Sequence, residues 1–565
     1  MSVSHCVGAE MPGSTAPNPL PAGISVTADG SSTALTVAVD HLARLGCEVA
    51  ADTSGSATEG AGTLVTTSTT GAEPHVLTCA IDWAGPVALP LASEADVQAA
   101  CGIAHVHGRR YGRPVPLPLD YAGAVTGVLA VTGVLAALHA ATLGTRIRGV
   151  RTSVAQGALL AVGQYLAAAT AADDEHHPGA PTPGAAPPPF TSADGVRFEL
   201  ETLDAEPWLR FWTALGAEPP AIREGWPPFQ HRYATAVCPL PAALHRATAR
   251  SPYHAIRTAA AGTGISVVRV RGAGDTAVLA VPQDPWAVTA LPADRDAAPG
   301  RAHVVPAPPV PLPLAGLVVV ESTTRVQGPL AGHVLALLGA RVIRVEPPGG
   351  DPMRGTAPTA GDCSARFLAL NHGKEVVEAD LRTPGGRRTV CELVRDADVF
   401  LHNWAPGKAA ARGLDAADLA RVRPGLVHAW ASGWGEALGP TPPIGTEYLV
   451  QAGSGVAELT ARPGEPPTPF LMTLLDVLGG LVCAEGVLAA LLARAATGHG
   501  RQVVTSLLSA ATVLTAHGRG TTSRRRALPV PCCTDLVEPA ADPRFGAALI
   551  RRTCVLPDAP WEFTA

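Results

Sequence analysis

The sequence predicts an α/β protein whose parallel sheets are covered by helices, joined to a smaller α+β unit. Strand-like runs alternate with helix-like runs in both halves of the chain, which is typical of βαβ units. A long apolar segment also follows an aspartate in each half. The chain has 565 residues, of which 47% are hydrophobic and 16% charged, so it can bury large cores in roughly three or four domains.

The first half opens with residues 1–22, a tract rich in proline, serine and glycine that we expect to be a loose tail. The runs that follow are a strand, a helix and three further strands, namely ISVTA, ALTVAVDHLARLG, CEVAA, TLVTT and HVLTCAI. This order predicts βαβ units and a parallel sheet. A long helix then begins after Asp120, and the helix-breaking tract HHPGAPTPGAAPPP follows at 176–189.

Residues 190–285 have a different character. FTSADGVRFELETL predicts a hairpin, WLRFWTALG a helix, and YHAIRTAAAGTGISVVRV a helix followed by a strand. These elements form the smaller α+β unit. A proline-rich tract at 292–316 predicts the boundary between the two halves.

The second half restarts the alternation with the strands GLVVVES, RVIRVE, DVFLHNW and GLVHAWAS and the helices GPLAGHVLALLGA and RRTVCELVRDA. Ligands of open parallel sheets bind at the carboxyl ends of the strands. The loops there are PPGGDPMRG, LNHGKE, NWAPGK and SGWGE, whose glycines and polar groups suit a phosphate-bearing ligand. The sequence contains neither a GxGxxG nor a P-loop fingerprint.

One segment occurs twice. DYAGAVTGVLAVTGVLAAL begins at Asp120, DVLGGLVCAEGVLAALLAR begins at Asp476, and a Thr-Ser step follows each copy at Thr152 and Thr505. The two aspartates are 356 residues apart and the two threonines 353, so this alignment requires one three-residue gap. The spacing predicts a domain-sized duplication in which the aspartate was built twice.

Charge and cysteine content exclude several classes of protein. A net charge of −6 and a pI near 6.3 give no footprint for nucleic acid or a membrane surface. The eleven cysteines form no CxxC pair or zinc-type cluster and no signal peptide is apparent, so we expect a metal-free, reduced, cytoplasmic protein. Residues 121–138 could cross a bilayer, but their Gly, Ala and Thr content, and Glu485 and Arg494 in the second copy, favour buried core helices.

These motifs, in this order, make the second half similar to the family III CoA-transferases, which include formyl-CoA transferase, carnitine CoA-transferase and α-methylacyl-CoA racemase. The similarity is nearly continuous from 312 to about 515 and is carried by STTRVQGPLAGHVLALLGARVIRVEPPGGDPMR, FLALNHGKEVVEADLRTPGG, HNWAPG and PTPFLMTLLDVLGG. The first half resembles a degraded second copy. In it, EADVQAACGIA resembles EYLVQAGSGVAEL, and PVPLPLDYAG resembles PFLMTLLDVLGG.

The resemblance implies Rossmann-like CoA-binding domains with a smaller α+β domain. The expected divisions are a tail at 1–22, a degenerate large domain at 23–180, a small domain at 181–291, a linker at 292–311, a CoA-binding large domain at 312–520 and a C-terminal return segment at 521–565. Members of this family are dimers of interlocked rings. We therefore expect a monomeric tandem pseudo-dimer with one working site.

The resemblance also implies the chemistry. Asp476 would attack an acyl-CoA thioester, giving a mixed anhydride and then an aspartyl-CoA thioester, from which a small carboxylic acid takes the CoA. Acyl-CoA and that acid are the expected partners; coenzyme A is a substrate, with no permanently bound cofactor or metal. Asp120 is expected to cap its helix instead.

The expected contacts to CoA are Gln327, Lys374, Asn403, Trp404 and Arg412. Two departures from the family pattern bear on the affinity for CoA. Pro347 and Pro348 stand where relatives often have basic residues, and Arg412 is displaced by one residue from the family's arginine.

Two other functions remain open. Racemases of the family use a His–Asp acid/base pair, but Thr446 occupies the histidine position here, although Glu447 could serve as a base. The eroded first half would also be compatible with a non-catalytic CoA-fold protein recruited to a biosynthetic pathway.

Overall fold

The computed structural model describes residues 19–51, 60–70, 74–171, 185–272, 284–291, 312–459, 466–518 and 530–565. The predicted linker at 292–311 and most of the predicted tail at 1–22 lie outside these residues. The first half contains β1 (Ile24–Asp29), α1 (Thr33–Arg44), β2 (Glu48–Ala51), β3 (Gly62–Ser68), β4 (His75–Asp82), α2 (Glu94–Ala100), α3 (Ile103–Gly108), α4 (Tyr121–Thr142), β5 (Gly149–Ser153), α5 (Val154–Ala161) and α6 (Gly163–Ala169).

The small α+β unit has the predicted hairpin, helix and helix–strand. It comprises β6 (Phe190–Thr191), β7 (Arg197–Glu201), α7 (Ala205–Ala214), α8 (Pro219–Gln230), α9 (Arg232–Thr235), α10 (Ala242–Ala249), α11 (Tyr253–Thr263) and β8 (Ser266–Arg269). Strand β7 pairs antiparallel with both β6 and β8. The chain then forms β9 (Trp286–Ala290).

The second half contains β10 (Val318–Ser322), α12 (Gln327–Leu337), β11 (Arg341–Glu346), β12 (Thr359–Ala360), β13 (Cys363–Ser364), α13 (Ala365–Asn371), β14 (Glu375–Glu378), α14 (Pro384–Arg395), β15 (Val399–His402), α15 (Lys408–Arg412), α16 (Ala416–Val422), β16 (Val427–Ser432), α17 (Glu447–Ser454), α18 (Val456–Leu459), α19 (Leu474–Thr497), β17 (Arg501–Ser506) and α20 (Leu507–His517). The C-terminal elements are α21 (Val537–Ala541), β18 (Leu549–Arg551), β19 (Val555–Pro557) and β20 (Glu562–Thr564).

The second-half sheet has the order β14-β11-β10-β15-β16-β17-β9. Its strands pair in parallel from β14 through β17, as the alternation of strands and helices predicts. Helices connect these strands, so their carboxyl ends meet along one edge and present their loops there.

The first-half sheet corrects the expectation of a parallel sheet. Its order is β2-β1-β3-β4-β5-β20, and β3 runs antiparallel to both β1 and β4. Only residues 69–74 join β3 to β4, whereas a parallel crossover needs a dozen residues or more. The sheet is therefore mixed, with β1 parallel to β2 and β4 parallel to β5.

Each sheet is completed at one edge by a strand from the other half. Strand β9, in the sequence PWAVTA, pairs antiparallel with β17, and β20, in the sequence PWEFTA, pairs antiparallel with β5. The tryptophans of the two motifs are buried against matching glycines: a Cβ on Gly486 would lie 3.4 Å from Trp286 Cβ, and one on Gly133 2.9 Å from Trp561 Cδ1. The two halves are thus joined by a reciprocal exchange of strands.

Helices α4 and α19 run through the centre of the molecule. Both are long and apolar enough to cross a membrane, yet 94% of the most apolar window of each is buried. They pack on one another, and the Tyr121 hydroxyl donates a 2.9 Å hydrogen bond to the Leu474 carbonyl across their junction. A helix that is apolar on all sides and buried is typical of a core helix.

The two copies keep a constant spacing of 353 residues through this core, in contrast to the gapped alignment. Gln98 and Gln451 each donate to the glutamate that begins their own helix, Glu94 in α2 and Glu447 in α17. Ser153 and Ser506 cap α5 and α20, the helices that follow β5 and β17. The predicted three-residue gap is therefore wrong. The shared pattern of side-chain hydrogen bonds, rather than the shared aspartate, sets the register.

Candidate active site

A cavity of about 1050 Å³ opens at the carboxyl ends of the second-half strands. Three of the four loops expected there contribute to its wall, those at 351–353, 403–406 and 433–435. The small α+β unit and the start of α19 close the opposite side. The polar groups that face it include Glu201, Arg232, Tyr233, Arg325, Glu447 and Asp476.

Asp476 is the third residue of α19 and is half-buried in the cavity wall. Its carboxylate accepts no hydrogen bond from any residue that the structure describes. Burial raises the pKa of Asp476 to about 6, while the charge of Arg325 opposes this rise and that of Glu201 adds to it. The carboxylate is therefore exposed to a substrate and is ionised at neutral pH.

Glu447 holds the N-terminus of α19. Its Oε1 accepts from the backbone N–H groups of Leu474 and Leu475 at 3.1 and 2.9 Å, and its Oε2 accepts from that of Asp476 at 2.6 Å. The first N–H groups of a helix have no carbonyl acceptor within the helix, so Glu447 supplies one. Burial and the neighbouring Asp476 raise the pKa of Glu447 against the effect of these bonds.

The first copy has the same capping glutamate but lacks the aspartate. Glu94 accepts from the N–H groups of Ala122 and Gly123, both at 2.8 Å, as Glu447 does in the second copy. At the constant spacing, Gly123 is the counterpart of Asp476. A Cβ built on Gly123 would lie 3.2 Å from the Thr33 Cβ, so helix α1 packs closely against this position.

Asp120 is consequently not the equivalent of Asp476, which corrects the alignment of the two aspartates. Its side chain also makes no capping hydrogen bond to α4, contrary to the expected role. Instead its Oδ2 accepts a 2.7 Å hydrogen bond from the Thr33 hydroxyl and ties α4 to α1. Glu94 caps α4 instead. Because Glu94 lies 26 residues before Asp120, the sequence alone does not reveal it as the cap.

The wall from the small α+β unit carries a buried ion pair. Arg232 is 2% exposed, its Nη2 donates to Glu201 Oε2 at 3.1 Å, and its guanidinium lies 3.8 Å from the Phe229 ring centroid. The Thr446 hydroxyl donates to the same Glu201 oxygen at 2.9 Å. Thr446 stands at the racemase histidine position, and its contact joins the small unit to α17 rather than presenting a base.

Gln327 and Asn403, two of the expected CoA contacts, line the cavity. Gln327 begins α12 and its Nε2 donates to the Ser432 carbonyl at 3.3 Å. The Asn403 side chain pairs with the backbone of Thr324, donating to its carbonyl at 2.8 Å and accepting from its N–H at 3.0 Å. Asn403 therefore fixes the loop that precedes α12, and Gln327 ties α12 to the end of β16.

Arg412 is not among the residues that line the cavity, but it packs against Trp404, which is. The Arg412 guanidinium lies 4.3 Å from the Trp404 ring centroid, and burial lowers the pKa of Arg412. Trp404 lines the cavity, and the Trp430 indole N–H donates to its carbonyl at 2.9 Å. A ring stacked with a guanidinium offers a flat, cationic surface.

Lys374 is not brought to the cavity. Its side chain is 1% exposed, and its Nζ donates to Glu321 Oε2, the Pro329 carbonyl and Asn371 Oδ1 at 2.7 to 3.0 Å. Burial lowers its pKa to about 8. The Lys374 charge is held in a buried network with Glu321 and Arg344. These partners are distant in sequence, so the position of Lys374 in a glycine-containing loop wrongly suggested a contact with CoA.

Arg325 is a cavity residue that the motifs do not single out. It lies in the loop between β10 and α12, is exposed, and has a left-handed backbone with φ of +68°. Left-handed backbone disfavours a side chain with a Cβ.

Comparisons with known proteins identify the family of this chain. The model of the CoA-transferase family III matches residues 70–304 and 314–530, that is, once in each half. An acetyl-CoA:oxalate CoA-transferase of Acetobacter aceti is 39% identical over 199 residues, which cover 34% of this chain and 51% of that protein. A succinate–glutarate CoA-transferase of Agrobacterium fabrum is 35% identical over 205 residues, covering 35% and 51%.

A solved structure of a CAIB/BAIF family protein from Brucella suis is 34% identical, covers 36% of this chain and 56% of its own, and has a TM-score of 0.34. The chain spans about half the length of the curated relatives it matches. The family model nevertheless covers most of the chain in two successive matches. The chain therefore belongs to CoA-transferase family III.

Proposed function

We propose that this protein transfers CoA from an acyl-CoA to a carboxylic acid, with Asp476 as the nucleophile. The observation that carries the proposal is the Asp476 carboxylate, which lies in the wall of a cavity of about 1050 Å³ and accepts no hydrogen bond from the described residues. A carboxylate without competing donors keeps its lone pairs for an electrophile. The names of the relatives pair CoA with oxalate and glutarate, which supports a carboxylic acid as acceptor.

The first half-reaction follows from ordinary acyl chemistry. An oxygen of Asp476 attacks the thioester carbonyl carbon, the C–S bond breaks, and CoA leaves as a thiolate. The thiolate then attacks the Asp476 carbonyl carbon of the mixed anhydride. The donor's acyl group departs as a carboxylate, and an aspartyl-CoA thioester remains.

The second half-reaction reverses these steps with the acceptor. The acceptor carboxylate attacks the aspartyl carbonyl carbon, and the CoA thiolate leaves again. This thiolate attacks the acceptor's acyl carbon in the new anhydride, which forms the product thioester and frees the Asp476 carboxylate. No metal, redox cofactor or net proton is consumed in this sequence.

The surroundings support a protected intermediate. An anhydride is lost if water reaches it, so a covered site is needed. Phe229, Tyr233 and Tyr448 line the cavity on the side of the small α+β unit, where Tyr233 Oη lies 3.8 Å from Met353 Sδ. We propose that the small unit acts as the cover.

Coenzyme A is the proposed substrate, without a permanently bound cofactor. Gln327 and Asn403 would position the thioester end, and Trp404, with Arg412 packed against its ring outside the cavity lining, would receive the nucleotide end. We do not include Lys374 among the proposed CoA contacts, because it forms a buried ion pair with Glu321.

We also propose that the chain is a cytoplasmic, monomeric pseudo-dimer with one active site. Three observations support this: the reciprocal exchange of β9 and β20, the constant spacing of 353 residues, and the loss of the aspartate at Gly123. The divisions at 23–180, 181–291, 312–520 and 521–565 remain the proposed domains.

The test of function is a transfer assay with acetyl-CoA or succinyl-CoA as donor and isotopically labelled oxalate or glutarate as acceptor. We expect labelled oxalyl- or glutaryl-CoA, together with exchange of label between succinyl-CoA and free succinate. Calorimetry with CoA distinguishes the non-catalytic alternative. No exchange and no CoA binding at millimolar concentration would contradict the proposal.

A further inference from the structure

Arg325 presents an unpaired cation to the cavity. Its guanidinium is exposed, and within the described part of the chain it forms no hydrogen bond or ion pair. The preceding residue is fixed on both sides, because the Thr324 N–H donates to Asn403 Oδ1 at 3.0 Å and the Thr324 carbonyl accepts from Asn403 Nδ2 at 2.8 Å. Arg325 is thus held in a left-handed conformation, with φ of +68°, by its neighbours. Such retained strain is characteristic of functional sites.

The charge of Arg325 acts on two groups that line the cavity. Burial raises the pKa of Asp476 on α19 and that of Tyr233 on α9. The charge of Arg325 opposes the rise in both cases, together with Arg366 at Tyr233. The other charged or titratable groups around Asp476 are Glu447 on α17, Glu201 on β7 and Tyr121 on α4. Arg325 is therefore the cationic group acting on a carboxylate that otherwise has acidic neighbours.

Resting on the proposed function, we infer that Arg325 is the binding site for the carboxylate of the acceptor acid and holds it beside Asp476. A reacting acceptor has to bring its own carboxylate up to the aspartyl carbonyl. A guanidinium is suited to this because its planar donors can hold one carboxylate in two parallel hydrogen bonds.

The charge state of Asp476 then orders the two half-reactions. In the resting enzyme, the Asp476 carboxylate offsets the charge of Arg325 and repels a second anion. Once Asp476 carries CoA as a thioester, its charge is gone and Arg325 is left without a counter-charge. The acceptor acid therefore binds most tightly to the intermediate, after the donor's carboxylate has left.

The experiment uses full-length variants and succinate as the probe. Asp476→Asn imitates the uncharged state, so we expect it to bind succinate about tenfold more tightly than the wild type in calorimetry with CoA present. Arg325→Gln in the Asp476→Asn background should abolish this gain while leaving CoA affinity unchanged. Arg325→Lys should recover part of it, since the charge is kept but the planar fork is not.

Transfer kinetics give the second readout. With Asp476 intact, Arg325→Gln should raise KM for succinate at least about tenfold and move the acidic limb of the pH profile to higher pH. Arg325→Gly tests for a merely structural role, because glycine tolerates the left-handed backbone and should match Arg325→Gln in kinetics without loss of thermal stability. Arg544→Gln, a surface charge paired with Asp542, is the matched control.

The outcomes separate the two proposals. Succinate binding that depends on Arg325 in a chain that transfers no CoA would uphold the carboxylate site and reject the proposed function. Normal transfer with an unchanged KM for succinate in Arg325→Gln would reject the carboxylate site and uphold the proposed function. Loss of CoA affinity with unchanged succinate affinity would assign Arg325 to a CoA phosphate and overturn the inference.

Discussion

At the scale of single residues, Asp476 and Asp120 are the same amino acid in different surroundings. Asp476 has a free carboxylate in a cavity, whereas Asp120 accepts a hydrogen bond from Thr33 and ties two helices together. Asp476→Asn should reduce transfer at least about a thousandfold, because an amide cannot attack the thioester. Asp120→Asn should retain activity within about threefold. Steady-state assays of the two variants measure this, and equal losses would mean that the aspartates are assigned wrongly.

We expect the titration of Asp476 to determine how the reaction rate falls at acidic pH. Its pKa is raised by burial to about 6, so the nucleophilic carboxylate is present above that pH and is lost as pH falls through it. Single-turnover CoA release should fall about tenfold for each pH unit below this value. A rate that stays constant down to pH 4 would show that another group attacks, or that the carboxylate is not buried.

At the scale of elements, the two central helices share a capping device. Glu94→Ala leaves the buried N–H groups of Ala122 and Gly123 without an acceptor, which costs about 1–3 kcal/mol of unfolding free energy. Glu447→Ala should cost a similar amount and also slow transfer, since Asp476 loses its backbone anchor. Urea unfolding and transfer assays on both variants test this. If Glu94→Ala impaired transfer while its fold stayed intact, the first copy would have a role that the structure does not suggest.

Several elements could be predicted from the sequence because their causes are local. The parallel second-half sheet follows from its strand–helix alternation, and the placement of Asp476 at the start of α19 follows from the motif TLLDVLGG. The direction of β3 was missed because TLVTT fits either orientation, and only the short connections reveal the difference. The connection at 69–74, too short for a crossover helix between β3 and β4, was therefore the signal to weigh.

The remaining errors concern partners that are distant in sequence. Lys374 pairs with Glu321, 53 residues away, so its loop position gave no sign that the charge was already neutralised. Asp120 was aligned with Asp476 because both are aspartates. The correct register follows from Glu94, which lies on α2 and caps α4. The left-handed backbone of Arg325 depends on Asn403, a contact 79 residues from Thr324 that no motif expresses.

At the scale of the whole molecule, the exchanged strands make each half depend on the other. Strand β9 completes the second-half sheet, and β20 completes the first-half sheet. If this exchange replaces the dimerisation of relatives, the chain should have the solution mass of one copy, 57.5 kDa. Light scattering measures that mass, and a value near twice this figure would reject the monomeric pseudo-dimer. Halves expressed separately should be insoluble or inactive, because each lacks an edge strand.

The central claim is that Asp476 forms the covalent bond to the transferred CoA. The most direct measurement is peptide mapping by mass spectrometry after the full-length protein is mixed with acetyl-CoA and the intermediate is trapped with hydroxylamine. The account predicts a hydroxamate on Asp476 in the α19 peptide, none on the peptide that contains Asp120, and none in Asp476→Asn. A modification at another residue, or transfer at the wild-type rate by Asp476→Asn, would contradict it.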